Sequence, residues 1–376
     1  LDEELEFMAA GIETTIGRES GTVDMSVLKK DLRRGVELLA EVLREPAFRE
    51  DKFELARRSM IEGIRRRYDE PASIANVEFP KLVYGASSPW ARTSTIETVN
   101  AISRSDLVAF HHKYFVPNNT MMAVSGDFDK KAMATLLEDV FGGWRRRAVT
   151  FPDVAPIAER YAPGAYWVQR DGAPQTVIVT GHLGMRRHCP EQIAVETMNN
   201  IFGLGGFTSR LMREVRSNRG LAYSVYGYVS PGTDRGLFEV FCQTKAESTI
   251  ETTRLIRQIV RQMTEQPVPN EELTATKEQL LNKFIFKFES SAALLDERLL
   301  RDYLGYAPDY LDTYTGKVRA VSAADVLDAA RKYVHPDGMV TLFVGDKTLF
   351  DGNIDEFGPV REIKLDRDNG TSYIVP

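Results

Sequence analysis

The stretch VNAISRSDL at residues 99–107 returns as VRAVSAADV at residues 318–326. Each copy carries a Ser-x-x-Asp capping box, Ser103…Asp106 and Ser322…Asp325. In such a box a serine and an acidic residue satisfy the free N–H groups at a helix start. The two boxes lie 219 residues apart. The same offset relates Lys113–Tyr114 to Lys332–Tyr333, Pro117 to Pro336, and Gly126–Asp127 to Gly345–Asp346. Upstream, REPAFREDKFEL (44–55) is echoed by EQPVPNEELTAT (265–276) at a slightly different spacing. A collinear set of matches is an internal repeat. It predicts an α+β protein made of two homologous α/β sandwich domains. The first repeat domain is expected at 1–144 and the second at 165–376. Residues 145–164 lack a period and hold three prolines, so they read as a linker.

Working outward, apolar spacing predicts most elements. A helix at 1–10 stops at Gly11. Short strands at 12–16 and 22–27 flank a turn at 18–21. Helices follow from Leu28 to Pro46, from Phe53 to Asp69, and from Ser73 to Tyr84, where Pro80 is a kink or break. A loop spans 85–98. After the helix 103–114 come a strand at Met121–Ser125 and a helix through Ala132, Leu136 and Val140. The second half opens with strands at 166–169 and 176–180 and a helix at 190–202. A strand at 237–243, helices near 247–265, 270–288, 291–304 and 322–333, and a strand at 340–344 complete the pattern.

Between these lies Gly203 to Tyr228, GLGGFTSRLMREVRSNRGLAYSVYGY. The glycine run Gly203, Gly205 and Gly206 leads into a capped amphipathic helix, Thr208 to about Ser217. An arginine turn and a strand beginning near Tyr223 follow. Glycines permit close backbone approach or positive φ. On spacing alone this is a helix–turn–strand junction with surface arginines. Gly11–Gly17 occupies the place in the first copy that Gly220–Gly227 holds in the second. Only ten residues precede it, against two strands, two helices and the glycine run in the second copy. The first copy is thus expected to lack its opening strands and most of the equivalent helix. The chain opens at Leu1 inside an apparent helix, which reads as a fragment or a processed chain.

Composition narrows the function. Lys+Arg number 48 against 54 Asp+Glu, a formal charge of −6. A nucleic-acid partner would call for a basic face. Cys189 and Cys242 are too few for a disulfide framework and do not reveal the compartment; periplasm and cytoplasm both stay open. No apolar run is long enough to span a membrane. The histidines are His111, His112, His182, His188 and His335, and no two are four residues apart. His111–His112 reads as a packing or surface pair, and His188–Cys189 as a loop without further ligands.

Three stretches together carry a resemblance: GGFTSRLMREVRSNRGLAYSVYGYVSP (205–231), LREPAFREDKFELARRSMIEGIRRRYDEP (43–71) and DLVAFHHKYFVPNNTMMAVSGDFD (106–129). They resemble the pitrilysin/insulinase-type metallopeptidases, in the branch of mitochondrial-processing-peptidase-like bacterial proteins. The resemblance implies paired homologous halves around a substrate chamber. One half carries zinc on HxxEH plus a downstream Glu, and the other supplies an Arg and a Tyr seven residues apart. Two His at i and i+4 bind zinc from one helix face, and the Glu between them activates the metal-bound water. A Tyr hydroxyl can donate to the tetrahedral oxyanion while an Arg holds the substrate backbone. The pair maps onto Arg216 and Tyr223, with Gly203, Gly205, Gly206 and Phe207 expected against the peptide substrate. This sequence has no HxxEH. The third-ligand position falls on Gly63; a one-residue shift would place Glu62 there, and Glu54 lies near the companion acidic position. The resemblance therefore implies no metal on this chain, with zinc expected in a partner. The expected partner is a zinc-bearing homologous subunit or a second copy, and the chain is expected to be inactive alone. Two alternatives stay open: a complete zinc endopeptidase whose HxxEH precedes Leu1, and a catalytically silent structural subunit.

Overall fold

The computed structural model describes residues 1–157 and 161–375. Residues 158–160 of the expected linker lie outside them. In chain order the helices are α1 (Asp2–Phe7), α2 (Leu32–Arg44), α3 (Glu50–Arg66), α4 (Pro71–Tyr84), α5 (Ile96–Ala101), α6 (Arg104–Tyr114), α7 (Lys130–Phe141), α8 (Gln192–Asn199), α9 (Thr249–Glu265), α10 (Asn270–Phe286), α11 (Ser291–Tyr303), α12 (Tyr310–Ala320) and α13 (Ala323–Tyr333). The strands are β1 (Gly11–Ile16), β2 (Gly21–Ser26), β3 (Gly164–Gln169), β4 (Gln175–Leu183), β5 (Met185–Arg186), β6 (Ala222–Val229), β7 (Pro231–Gly232), β8 (Leu237–Lys245), β9 (Val340–Gly345), β10 (Val360–Asp366) and β11 (Thr371–Ile374). The fold is α+β. Both capping boxes form: Ser103 and Ser322 each accept from the backbone N–H of Asp106 and Asp325, whose carboxylates accept from the cap N–H groups in return.

The Cα packing groups the chain into two compact units. One holds Leu1–Arg57, Ala101–Pro152 and Phe288–Gly305. Its only sheet among the described residues is the antiparallel hairpin β1–β2, paired from Gly11↔Ser26 to Ile16↔Gly21. Small apolar clusters hold it, Leu5–Met8–Leu38 and Val36–Met133–Leu136. The expected strand Met121–Ser125 is not one. Its residues run without a ladder partner among the described residues, because a strand needs a neighbour for its N–H and C=O groups.

The other unit holds Arg58–Asn100, Asp153–Lys287 and Tyr306–Pro376. Its seven-stranded sheet has the order β11-β10-β3-β9-β4-β8-β6. Side chains alternate across it as strand geometry dictates. Ala165, Ile178 and Phe343 enter the apolar layer shared with α8, α9, α10, α12 and α13. Tyr166, Val168, Val177, Val179, Leu342 and Val344 enter the opposite layer, roofed by Ile74, Ala75, Phe79 and Val83 of α4. β9 and β4 are thus buried on both faces, which is why they read as nearly unbroken apolar runs. α4 continues through Pro80 without a break. α5 begins in the expected loop, and α12, β5, β7, β10 and β11 are additions to the expected pattern. The segments Asn200–Leu204 and Met212–Asn218 are π-helical rather than α-helical, and the second replaces the expected arginine turn as far as Asn218.

Candidate functional site

The central stretch is a turn, a helix and an edge strand, each with a local irregularity. Gly203 and Gly205 are buried. A Cβ on Gly203 would come within 2.4 Å of the Gly227 backbone, and one on Gly205 within 2.4 Å of the Asn200 carbonyl. Gly203 therefore serves the packing of the turn onto β6, and Gly205 its close approach to the Asn200 carbonyl. Gly206 is exposed at φ +66° and redirects the chain, leaving Phe207 67% exposed. The Thr208 and Ser209 hydroxyls donate to the carbonyls of Gly205 and Gly206, at 2.9 and 2.8 Å. From α10, the Gln279 amide donates to the Gly205 carbonyl at 3.1 Å, and Lys283 Nζ donates to Asn200 Oδ1 at 3.1 Å. Both side chains line an open groove of about 740 Å³ along α10.

Leu211 and Val215, both fully buried, anchor the π-helix that carries Arg216. Widened turns of this type recur at functional sites. The β6–β8 ladder slips between Ala222↔Thr244 and Ser224↔Gln243, so Tyr223 is the extra residue of a β-bulge. A bulge re-aims a side chain, and Tyr223 stands 78% exposed. Arg216 Cζ lies 5.0 Å from the ring centroids of both Phe207 and Tyr223. The structure thus joins Phe207, Arg216 and Tyr223 by cation–π contacts.

Charge distribution sets Arg216 apart. The stretch holds four arginines at three-residue spacing. Arg210 bonds Glu272 at 2.7 Å, Arg213 bonds Glu214 at 3.0 Å, and Arg219 lies 3.6 Å from Glu251. Among the described residues, no carboxylate pairs with Arg216. The Tyr223 hydroxyl likewise has no hydrogen-bond partner among them, whereas Tyr228 on the same strand donates to Glu239 at 2.7 Å. An unpaired guanidinium and a free hydroxyl, both on packed elements, can bind a carbonyl and donate to a developing oxyanion.

A family profile described as "Peptidase M16 inactive domain" matches residues 101–280. An uncharacterized zinc protease of Streptomyces coelicolor is 25% identical over 313 residues, 81% of this chain and 67% of its own length. Another, from Mycobacterium leprae, is 28% identical over 284 residues, 74% of this chain and 63% of its own. The crystal structure of a peptidase M16 inactive domain from Pseudomonas fluorescens superposes with a TM-score of 0.83 at 25% identity, covering 92% of this chain and 82% of that one. The chain carries the sequence profile and the fold of peptidase M16 proteins. It spans about two thirds of the length of the curated M16 relatives it matches.

The residues expected near the third zinc-ligand position do not fit a metal here. Gly63 offers no donor, and a Cβ built on it meets nothing within 4 Å. Glu62 is turned to Arg66 at 2.7 Å, and Glu54 to Arg57 at 3.2 Å. His111 is a packing histidine: its Nε2 lies 2.9 Å from the Leu43 carbonyl, its ring stacks on Phe115, and burial lowers its pKa. Among the described residues, no three His, Cys, Asp or Glu side chains gather as a metal set. Sequence reading pointed to Arg216 and Tyr223 through the resemblance to the metallopeptidases and expected Phe207 against the substrate. It missed the ring contacts to Arg216 and the support from Gln279 and Lys283, which depend on a π-turn and a bulge that no residue pattern announces.

Proposed function

We propose that this chain supplies the substrate- and oxyanion-binding half of an M16 endopeptidase site and completes the site of a zinc-bearing homologous subunit. Arg216 holds a carbonyl of the extended peptide, and Tyr223 donates its hydroxyl to the oxyanion as water adds to the scissile carbonyl. The carrying observation is that Arg216, alone among the four arginines of its segment, lacks a carboxylate among the described residues and instead lies against the ring of Tyr223. The non-fitting residues at Gly63 and the resemblance to an inactive-domain profile support placing zinc in the partner.

Reconstitution with a zinc-bearing homologue tests this. Tyr223→Phe removes one oxyanion donor and should lower kcat about a hundredfold or more with little change in KM. Arg216→Lys keeps the charge but loses the planar fork, and should raise KM. Unchanged kinetics in both variants would remove the pair from the site. If no zinc-bearing homologue is stimulated at all, a silent structural subunit is the better description.

A second reading has its own observation. The matched relatives are named zinc proteases, and this chain covers only about two thirds of them. In that reading HxxEH precedes Leu1 in the parent polypeptide and the Arg/Tyr pair acts within one molecule. Zinc analysis of the full-length gene product, purified without a homologue, separates the two.

A further inference from the structure

We infer that Phe207 is a positioning residue for Arg216, acting through the guanidinium rather than on the substrate. The inference rests on Arg216 being the substrate-side cation proposed above. Phe207 contributes little to the core, since 67% of it is exposed. Its backbone is nonetheless built onto a fixed base. Gly203 packs on Gly227, Gly205 on Asn200, and Gln279 holds the Gly205 carbonyl from α10. Gly206 then takes the positive φ that directs the turn, and the next side chain reaches within 5.0 Å of Arg216 Cζ. The bulge at Tyr223 brings a second ring to the same distance.

A long arginine side chain samples many rotamers in water and must be ordered before it can hold a peptide. A carboxylate orders it but also occupies its N–H fork, as at Arg210. An aromatic face orders it and leaves the fork free. Phe207 and Tyr223 together therefore hold the Arg216 cation while sparing its donors for a substrate carbonyl. Tyr223 cannot do this alone while its ring is also to follow the oxyanion, so Phe207 supplies the fixed contact.

The test uses Phe207→Leu and Phe207→Trp in the full chain with isotope-labelled arginine. The first readout is NMR of the Arg216 side chain in the chain alone: the ring-current shift of its Cδ protons and the linewidth of its Nε–H. The second is kcat/KM of the reconstituted peptidase. Phe207→Leu should shrink the ring-current shift and give Arg216 the linewidth of a mobile side chain. It should also lower kcat/KM about fivefold through KM, with the melting temperature unchanged. Phe207→Trp should restore both readouts. An Arg216 signal unmoved by Phe207→Leu would overturn the inference. So would a fall in kcat/KM with that signal unmoved, since Phe207 would then touch the peptide itself. If the signal moves but Arg216→Lys leaves the kinetics intact, Arg216 does not serve substrate and the functional assignment fails, taking the positioning role with it.

Discussion

Single residues decide several features of the second-half sheet, and His182 is the one with a pH consequence. It is fully buried on β4. Its Nδ1 lies 2.8 Å from the Leu183 carbonyl, and its Nε2 accepts the His335 backbone N–H at 2.9 Å. That pairing requires a neutral ring with the proton on Nδ1. Phe238 and the His335 ring lie 4.9 and 5.0 Å away. Burial pushes its pKa down to about 4, against an ordinary value of 6.5. The unfolded chain therefore binds the proton first as pH falls. The contribution is complete above about pH 6.5 and is lost progressively as pH falls to about 4, amounting to about 3 kcal/mol. Urea titrations across that interval should show it, and His182→Gln should flatten this part of the profile; an unchanged slope in the variant would assign the loss elsewhere. From sequence, His182 was one unpaired histidine among five. Its role depends on the segment after α13 bringing the His335 N–H to its Nε2, which no local pattern encodes. Arg216 and Tyr223 were singled out only through the family resemblance, which gives their seven-residue separation a meaning; spacing alone left them in a helix–turn–strand junction.

At the scale of elements, α4 shows how far sequence order and packing can part. Its residues fall in the stretch expected to form the first repeat, yet its apolar face lies on β3, β4 and β9. Periodicity located the helix because amphipathic spacing is local; it could not say which sheet the helix would cover. The helix also carries Glu78, only 2% exposed. One carboxylate oxygen accepts from Lys81 Nζ at 2.8 Å and from the Tyr68 hydroxyl at 3.2 Å, and the other from Ser372 on β11 at 2.6 Å. The buried charge is fully partnered, so removing it strands Lys81, whose side chain is only 12% exposed. Glu78→Ala should cost about 3 kcal/mol or more. Glu78→Gln keeps the hydrogen-bond acceptor and should cost less. Equal melting temperatures for Glu78→Ala and the parent would show that the cluster adds nothing to the seating of α4.

For the whole molecule, the repeat relates segments whose fates differ. Met121–Ser125 corresponds to Val340–Val344 at the same 219-residue offset, and both lead into Gly-Asp. Val340–Gly345 is a central strand, parallel to β3 and antiparallel to β4, with every residue buried. Met121–Ser125 has the same apolar character but no ladder among the described residues, and Met121 and Met122 are 50% and 42% exposed. The sequence specifies a strand in both places, but a strand exists only when its neighbours do. Residues 1–10 hold the helix α1 and no strand. Amide hydrogen exchange should therefore separate two segments that sequence equates. Val340–Gly345 should be among the slowest amides, opening only with the whole unit, while Met121–Ser125 should exchange at nearly the rate of an unstructured peptide. Protection of Met121–Ser125 in the isolated chain would mean that it has found a strand partner, either within the chain or in a second copy. Dilution distinguishes the two, because protection from a second copy fades as concentration falls.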